Sequence, residues 1–182
     1  MEKISFSGQK VFHTALVIIP PVEVWPQIQN IRKVHDSAFD RWMPHINLCF
    51  PFISPEEFDL FFERFSEVFK DFEKFSIKFS GLGHFDHAKK AVLWADPVTK
   101  MGEINEIYGR IVKELGYLKE NRDFNPHLTL GQFEKGAVER KKEEFMKDWK
   151  EISFEVEEIH LIQRDGQNSP FYIKKSIKFK SN

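Results

Sequence analysis

The chain has 182 residues, 41% of them apolar and 30% charged, which suits one soluble globular domain with a sizeable core. Its formal net charge of −1 excludes a broad electrostatic grip on long nucleic acid, though not a short nucleotide held in a small pocket. The single cysteine, Cys49, excludes an intramolecular disulfide, and a His/Cys zinc cluster is not expected.

No apolar run is long enough to span a membrane. The first ten residues lack a signal-peptide core or an Arg-rich presequence. A cytoplasmic or nuclear location, with no membrane partner, is expected. Twenty phenylalanines imply a core built on aromatic volume.

In chain order, Val11 to Pro20 is β-rich and ends at a proline pair, as a buried strand would. Val22 to Ser37 predicts a short helix with Trp25, Ile28 and Ile31 on one face. A strand follows from His45 to Phe50. Ser54 as N-cap, Pro55 at the first helical position and Glu57 in a capping box predict the start of the clearest helix. Its Phe58, Phe61, Phe62, Phe65 and Phe69 form one apolar stripe, better suited to core packing than to a partner groove. Phe75, Ile77 and Phe79 alternate with polar residues, as in a half-buried strand, and Ala91 to Pro97 forms another.

Thr99 to Leu115 predicts a second amphipathic helix, stopped by Gly116. Leu128 to Gln132 reads as a strand, and Val138 to Trp149 as a highly charged helix with the solvated run Glu139 to Glu144. Ser153 to Asp165 and Phe171 to Lys180 read as two strands joined by a turn around Gly166 and Asn168. No linker divides the chain. Residues 1–182 are therefore expected to form a single α+β domain of two pseudo-symmetric lobes.

The duplication is suggested by a repeated motif. "PHINL" runs from Pro44 to Leu48 and "PHLTL" from Pro126 to Leu130, with the two histidines 82 positions apart. Side chains alternate along a strand, so Ile46 and Leu48, like Leu128 and Leu130, can anchor a core. His45 with Asn47, and His127 with Thr129, then share the opposite face. Two such strands facing each other make a cleft with two imidazoles and two hydrogen-bonding side chains. Histidine titrates near neutrality, so such a pair can take one proton and deliver another. Asn47 and Thr129 can donate to anionic oxygens. A phosphodiester is the natural substrate, and no metal or other cofactor is called for.

"PHINL" and "PHLTL" resemble the paired His-x-Thr/Ser-x motifs of the two-histidine phosphoesterase superfamily. That superfamily includes the bacterial 2′-5′ RNA ligase and cyclic phosphodiesterase type. The resemblance implies a bilobal, duplicated α+β fold: two antiparallel-rich sheets around a central V-shaped cleft, with helices outside. It also implies metal-independent cleavage of 2′,3′-cyclic phosphate or 2′-5′ phosphodiester bonds in RNA ends or small nucleotides. His45 and His127 match its catalytic histidines, and Thr129 its phosphate-binding hydroxyl. Asn47 stands where Thr or Ser is usual, so a phosphate-binding role there rests on the amide as donor.

Hydrolysis of 2′,3′-cyclic phosphate ends is the leading expectation, by a monomer. Hydrolysis of 2′-5′ linked oligonucleotides is the enzymatic alternative. A nucleotide-binding module without turnover is a second alternative, which Asn47 favours, and a structural adaptor is a third. Phe85, Phe124, Phe171 and Tyr172 are candidates for stacking on substrate bases, the last two backed by Lys174 and Lys175. His84 and His87, with Asp86 between them, suggest a metal but lack a further ligand nearby in sequence. Cys49 shares the strand parity of His45 and could border the cleft, although a buried inert thiol is the simpler account. His13, His35 and His160 look like residues of ordinary elements.

Overall fold

The computed structural model describes residues 6–116 and 124–180. Its elements are β1 (Lys10–Val11), β2 (Thr14–Ile18), α1 (Trp25–His35), β3 (Ile46–Cys49), β4 (Phe52–Ile53), α2 (Phe58–Phe69), β5 (Phe75–Asp86) and β6 (Lys90–Val98). They continue with α3 (Glu103–Leu115), β7 (Leu128–Glu134), α4 (Lys135–Asp148), β8 (Ile152–Val156), β9 (Glu158–Gln163) and β10 (Tyr172–Lys178).

Two four-stranded antiparallel sheets carry the fold, in the orders β10–β9–β2–β3 and β7–β6–β5–β8, with β1 and β4 as a separate small ribbon. The two motif strands hold equivalent places. β3 is the edge strand beside β2, reached through α1, and β7 is the edge strand beside β6, reached through α3.

Burial follows the alternation in the sequence. Ile46, Leu48, Leu128 and Leu130 are buried, whereas His45, Asn47, His127 and Thr129 are partly exposed. The α2 stripe fills the core as expected. Phe61 and Phe65 stack with centroids 3.9 Å apart, and Phe58 and Phe69 are buried with them. Each such side chain contributes about 1.5–3 kcal/mol of burial. Phe62 lies at the edge of the stripe, with the Lys175 ammonium 4.8 Å from its ring centre.

One helix crosses between the sheets. α1 leaves β2 of the first sheet and packs on β7 of the second before the chain returns to β3. That approach is close. A Cβ on Gly131 would lie 2.6 Å from the Cβ of His35 and 2.9 Å from its carbonyl oxygen. α4 covers β5, β6 and β7, while α2 packs on β10. α3 lies beside α2, held by the Arg64–Glu114 ion pair.

Two expectations need correction. The capping box at Ser54 does not form, because Pro55–Glu57 is a 3₁₀ turn that delays α2 to Phe58. Glu57 instead accepts hydrogen bonds from the backbone N–H of Ser7 at 2.7 Å and its hydroxyl at 2.9 Å, while the Ser54 hydroxyl turns to Glu56. The strand expected from Ser153 to Asp165 is also two strands. β8 pairs with β5 in the second sheet and β9 with β2 and β10 in the first, so the chain changes sheet at Glu157.

Candidate active site

His45 immediately precedes β3 and His127 immediately precedes β7, so each sits where its edge strand begins. Their ring contacts repeat. Nδ1 of His45 donates to the carbonyl of Met43 at 2.7 Å, and Nδ1 of His127 donates to the carbonyl of Asn125 at 2.8 Å. In both, the acceptor is the residue two positions earlier. This bond fixes the tautomer and leaves Nε2 with its lone pair for chemistry.

Burial disfavours the charged form of both rings. Desolvation lowers the His45 pKa to about 4, although the Met43 carbonyl favours the charged form. The positive charges of Arg32 and His127 press the same way as burial, and Asp36 opposes them. His127 is lowered as well, again mainly by burial, with the charge of His87 adding to it. The charge of one motif histidine is thus felt by the other.

Asn47 departs from the expected free donor. Its Nδ2 lies 3.0 Å from Nε2 of His45, where it donates to the ring lone pair. Its Oδ1 is buried with no hydrogen-bond partner. Asn47 therefore holds the His45 ring in this state, and presenting its amide to a phosphate requires it to turn. The partner of Asn47 across the sheet is Val17, followed by His160 and Ser176 in one row. His160, read as an ordinary residue, is buried in this row. Its Nδ1 lies 2.8 Å from the Ser176 hydroxyl, and burial lowers its pKa to about 4. In the second sheet, the row through Thr129 is Thr129, Trp94 and Gly83.

Aromatic walls stand beside both histidines. Trp42 stacks on His45 with centroids 4.5 Å apart and planes 20° from parallel. Phe85 meets His127 edge-on at 5.0 Å, and Trp94 lies 6.1 Å from the same ring. Of the four aromatics expected to meet a base, only Phe85 touches a motif histidine. Phe124 stacks on Tyr108 of α3 at 3.9 Å, and packs on the core. Phe171 is buried beneath Trp42 at 3.9 Å. The Tyr172 hydroxyl donates to Asp165 at 2.8 Å. Trp42 and Trp94 were not expected here. The one cue in the sequence was the Trp42 ring only three residues before His45.

Trp42 is also tied to the second motif strand. Arg32, buried in α1, donates from Nη2 to the Trp42 carbonyl at 2.9 Å and pairs with Asp36 at 2.7 Å. Asp36 accepts from Gln132 of β7 at 3.1 Å. One polar network thus joins the segment before His45 to the strand after His127.

Cys49 does not border the cleft. A bulge pairs Leu16 with Cys49 but Val17 with Asn47, which resets the alternation and turns Cys49 into the core. Burial pushes its thiol pKa up to about 12. His84 faces Glu139 at 3.2 Å, Asp86 faces Lys135 at 3.7 Å, and His87 packs on Phe85. Among the described residues no group of three or more His, Cys, Asp or Glu is placed to hold a metal ion, and no helix is long and apolar enough to cross a membrane. A cavity of about 470 Å³ lies beside Met43, lined by Ile19, Trp25, His160 and Ile173 among others.

The fold has counterparts among solved structures. Escherichia coli LigT in its apo form superposes with a TM-score of 0.64 at 16% identity, covering 95% of this chain and 100% of that one. LigT complexed with 3′-AMP gives 0.65 at 16% identity over 93% and 98%. TT0787 of Thermus thermophilus gives 0.64 at 13% identity over 93% and 99%. At these identities the likeness establishes the fold. No curated protein sequence matches significantly. Residues 20–168 match the profile of the 2′-5′ RNA ligase superfamily. With both histidine motifs inside that span, the chain belongs to this superfamily, the two-histidine phosphoesterases.

Proposed function

We propose that the protein hydrolyses 2′,3′-cyclic phosphodiesters at the ends of RNA or on nucleotides, by general acid–base catalysis from His45 and His127. The observation that carries this reading is the matched pair of imidazoles, each anchored through Nδ1 to the carbonyl two residues earlier. Such anchoring presets both Nε2 atoms for proton transfer. One histidine takes the proton of the attacking water as its oxygen bonds to phosphorus. The other delivers a proton to the ribose oxygen as its bond to phosphorus breaks. The Thr129 hydroxyl, and the Asn47 amide once turned from His45, hold the non-bridging oxygens. Phosphate binding brings negative charge beside two rings whose charged form burial disfavours, and so favours the protonated form that the acid needs. The fold shared with LigT, which was crystallised with 3′-AMP, supports a nucleotide in the cleft.

The test is turnover of the four nucleoside 2′,3′-cyclic phosphates in excess EDTA by the wild type, His45→Ala and His127→Ala. The reading requires turnover that survives EDTA and falls at least about 10²-fold in each variant. Turnover untouched by either substitution would overturn it. A folded protein inactive on these substrates but active on 2′-5′ linked oligonucleotides would move the assignment to that reaction.

A further inference from the structure

The aromatic wall at His45 does not stop at Trp42. Beyond the ring stacked on His45, Trp42 meets Phe50 at 5.1 Å, and Phe50 meets Phe12 at 5.9 Å. Both steps are nearly perpendicular, 85° and 83°. The outer two rings are open to solvent, Phe12 being 65% and Phe50 41% exposed. Large apolar rings in such a run on a surface mark a binding face rather than core packing.

Two arginines border the run. Arg164 lies 5.0 Å from the Phe171 ring centre, and Phe171 in turn supports Trp42. It donates to the carbonyls of Phe12 and Gln167, while its Nε is buried without a partner. Arg41 precedes Trp42, and its carbonyl accepts the Phe171 N–H at 2.8 Å. Its charge bears on Arg164, which is held below the usual arginine range by burial and then by Arg41. Among the described residues neither guanidinium pairs with a carboxylate. Asp165 nearby accepts instead from the Tyr172 hydroxyl at 2.8 Å. A surface pocket of about 540 Å³ opens between Phe12, His13, Arg164 and the turn Asp165 to Gln167.

We infer that Trp42, Phe50 and Phe12, flanked by Arg41 and Arg164, form a track for the single-stranded RNA that leads into the cleft. The nucleotide before the reacting end packs on the open rings of Phe50 and Phe12, Trp42 being covered by His45 and Phe171 and holding the inner end of the row, and a backbone phosphate lies between the two guanidinium groups. Exposed aromatic rings interleaved with uncompensated cations are the chemistry that holds single strands. A free nucleotide fills the cleft alone, so the track makes this an enzyme for oligonucleotide ends. A net charge near zero agrees with a grip confined to this short track.

The inference rests on the cleft being an RNA-end site, so its test separates the two. The first readout is binding, independent of turnover. Fluorescence anisotropy of a 5′-labelled octaribonucleotide with a 3′-phosphate is measured against wild type, Phe12→Ser and Arg41→Gln. Phe12 is mostly exposed, so its replacement leaves the fold standing. Each variant should weaken binding on the order of tenfold. Arg41→Gln should also reduce the slope of log affinity against log salt by about 0.7. The second readout is kcat/KM on an octaribonucleotide ending in a 2′,3′-cyclic phosphate against adenosine 2′,3′-cyclic phosphate. The variants should lower the first about tenfold more than the second.

Wild-type turnover that does not prefer the octanucleotide, or equal binding by all three proteins, overturns the track and leaves the cleft chemistry intact. Octanucleotide binding that depends on Phe12 and Arg41 in a protein without turnover keeps the track and removes the catalytic reading. A wild-type dimer converted to monomer by Phe12→Ser, with RNA binding unchanged, makes this face a self-association surface and overturns the proposal.

Discussion

Arg32→Met should be among the most damaging single substitutions outside the histidines. The guanidinium and the Asp36 carboxylate lie 2.7 Å apart, each side chain only 2% exposed. Arg32 also donates to Gln29 at 3.0 Å and to the Trp42 carbonyl at 2.9 Å. Removing one partner of a buried ion pair leaves the other charge without compensation, which costs about 3–5 kcal/mol. For a chain of this length that lowers Tm by roughly 6–20 °C. It also takes at least about a fifth of a typical total stability of about 5–15 kcal/mol. Asp36→Asn added to Arg32→Met removes the orphaned charge while keeping an acceptor for the Ala38 N–H, so the double variant should regain about half of the loss. Turnover should fall in Arg32→Met even where the protein is folded, because the backbone carbonyl of Trp42, whose ring stacks on His45, loses its donor. Urea denaturation with steady-state rates on the same samples measures both. A single variant within about 0.5 kcal/mol of wild type, or a double variant no better than the single, would refute the reasoning.

Stability should fall as the pH drops from about 6.5 to 4. Unfolded histidine binds a proton near pH 6.5, whereas native His45 and His160 stay neutral to about 4. The unfolded chain thus holds more protons in that window. Stability is complete above it and declines through it by about 1.4 kcal/mol per pH unit for each residue. His160→Gln should flatten the dependence of the urea midpoint on pH, and an unchanged slope would count against the assignment. Asn47→Thr, which removes the amide from His45 Nε2 and offers a hydroxyl, should keep or raise kcat and shift the pH–rate profile, whereas Asn47→Ala should lower kcat at least about tenfold. Gly83→Val should reduce turnover on the proposed substrates, because even its Cβ would lie 2.4 Å from the Trp94 ring beside His127. Circular dichroism of that variant should still show the native fold. Gly131→Ala should cost about 1–3 kcal/mol, since its Cβ would meet the backbone of His35 at 2.9–3.0 Å and backbone cannot turn aside.

The alternation of Ile46 and Leu48 against His45 and Asn47 was legible because a strand with one buried face has a period of two. The same logic gave the α2 stripe, where Phe58, Phe61, Phe65 and Phe69 are buried at helical spacing. Strand parity alone put Cys49 on the face of His45, but the buried thiol preferred there is what the structure shows, because a bulge adds a residue without leaving a mark in composition. It ran β8 and β9 together, although the pattern did contain the break. Ile152, Phe154 and Val156 alternate with exposed residues, and then Ile159 to Ile162 are all buried, as a central strand covered on both faces requires. Trp94 and the Arg32 network could not be found, because their partners come from segments far apart in sequence. Phe124 shows the converse. It was a candidate for stacking on a base, but its ring pairs with Tyr108 on α3.

The path of α1 bears on how the molecule comes apart. The helix leaves one sheet, lies against the edge strand of the other and returns, while Glu157 passes the chain directly from β8 to β9. Neither half of the polypeptide therefore encloses a complete core of its own. Melting should proceed as a single cooperative transition, with the two sheets losing amide protection together rather than in sequence. The spacing of the two imidazoles is then as durable as the fold itself, since neither side of the cleft can loosen without the other.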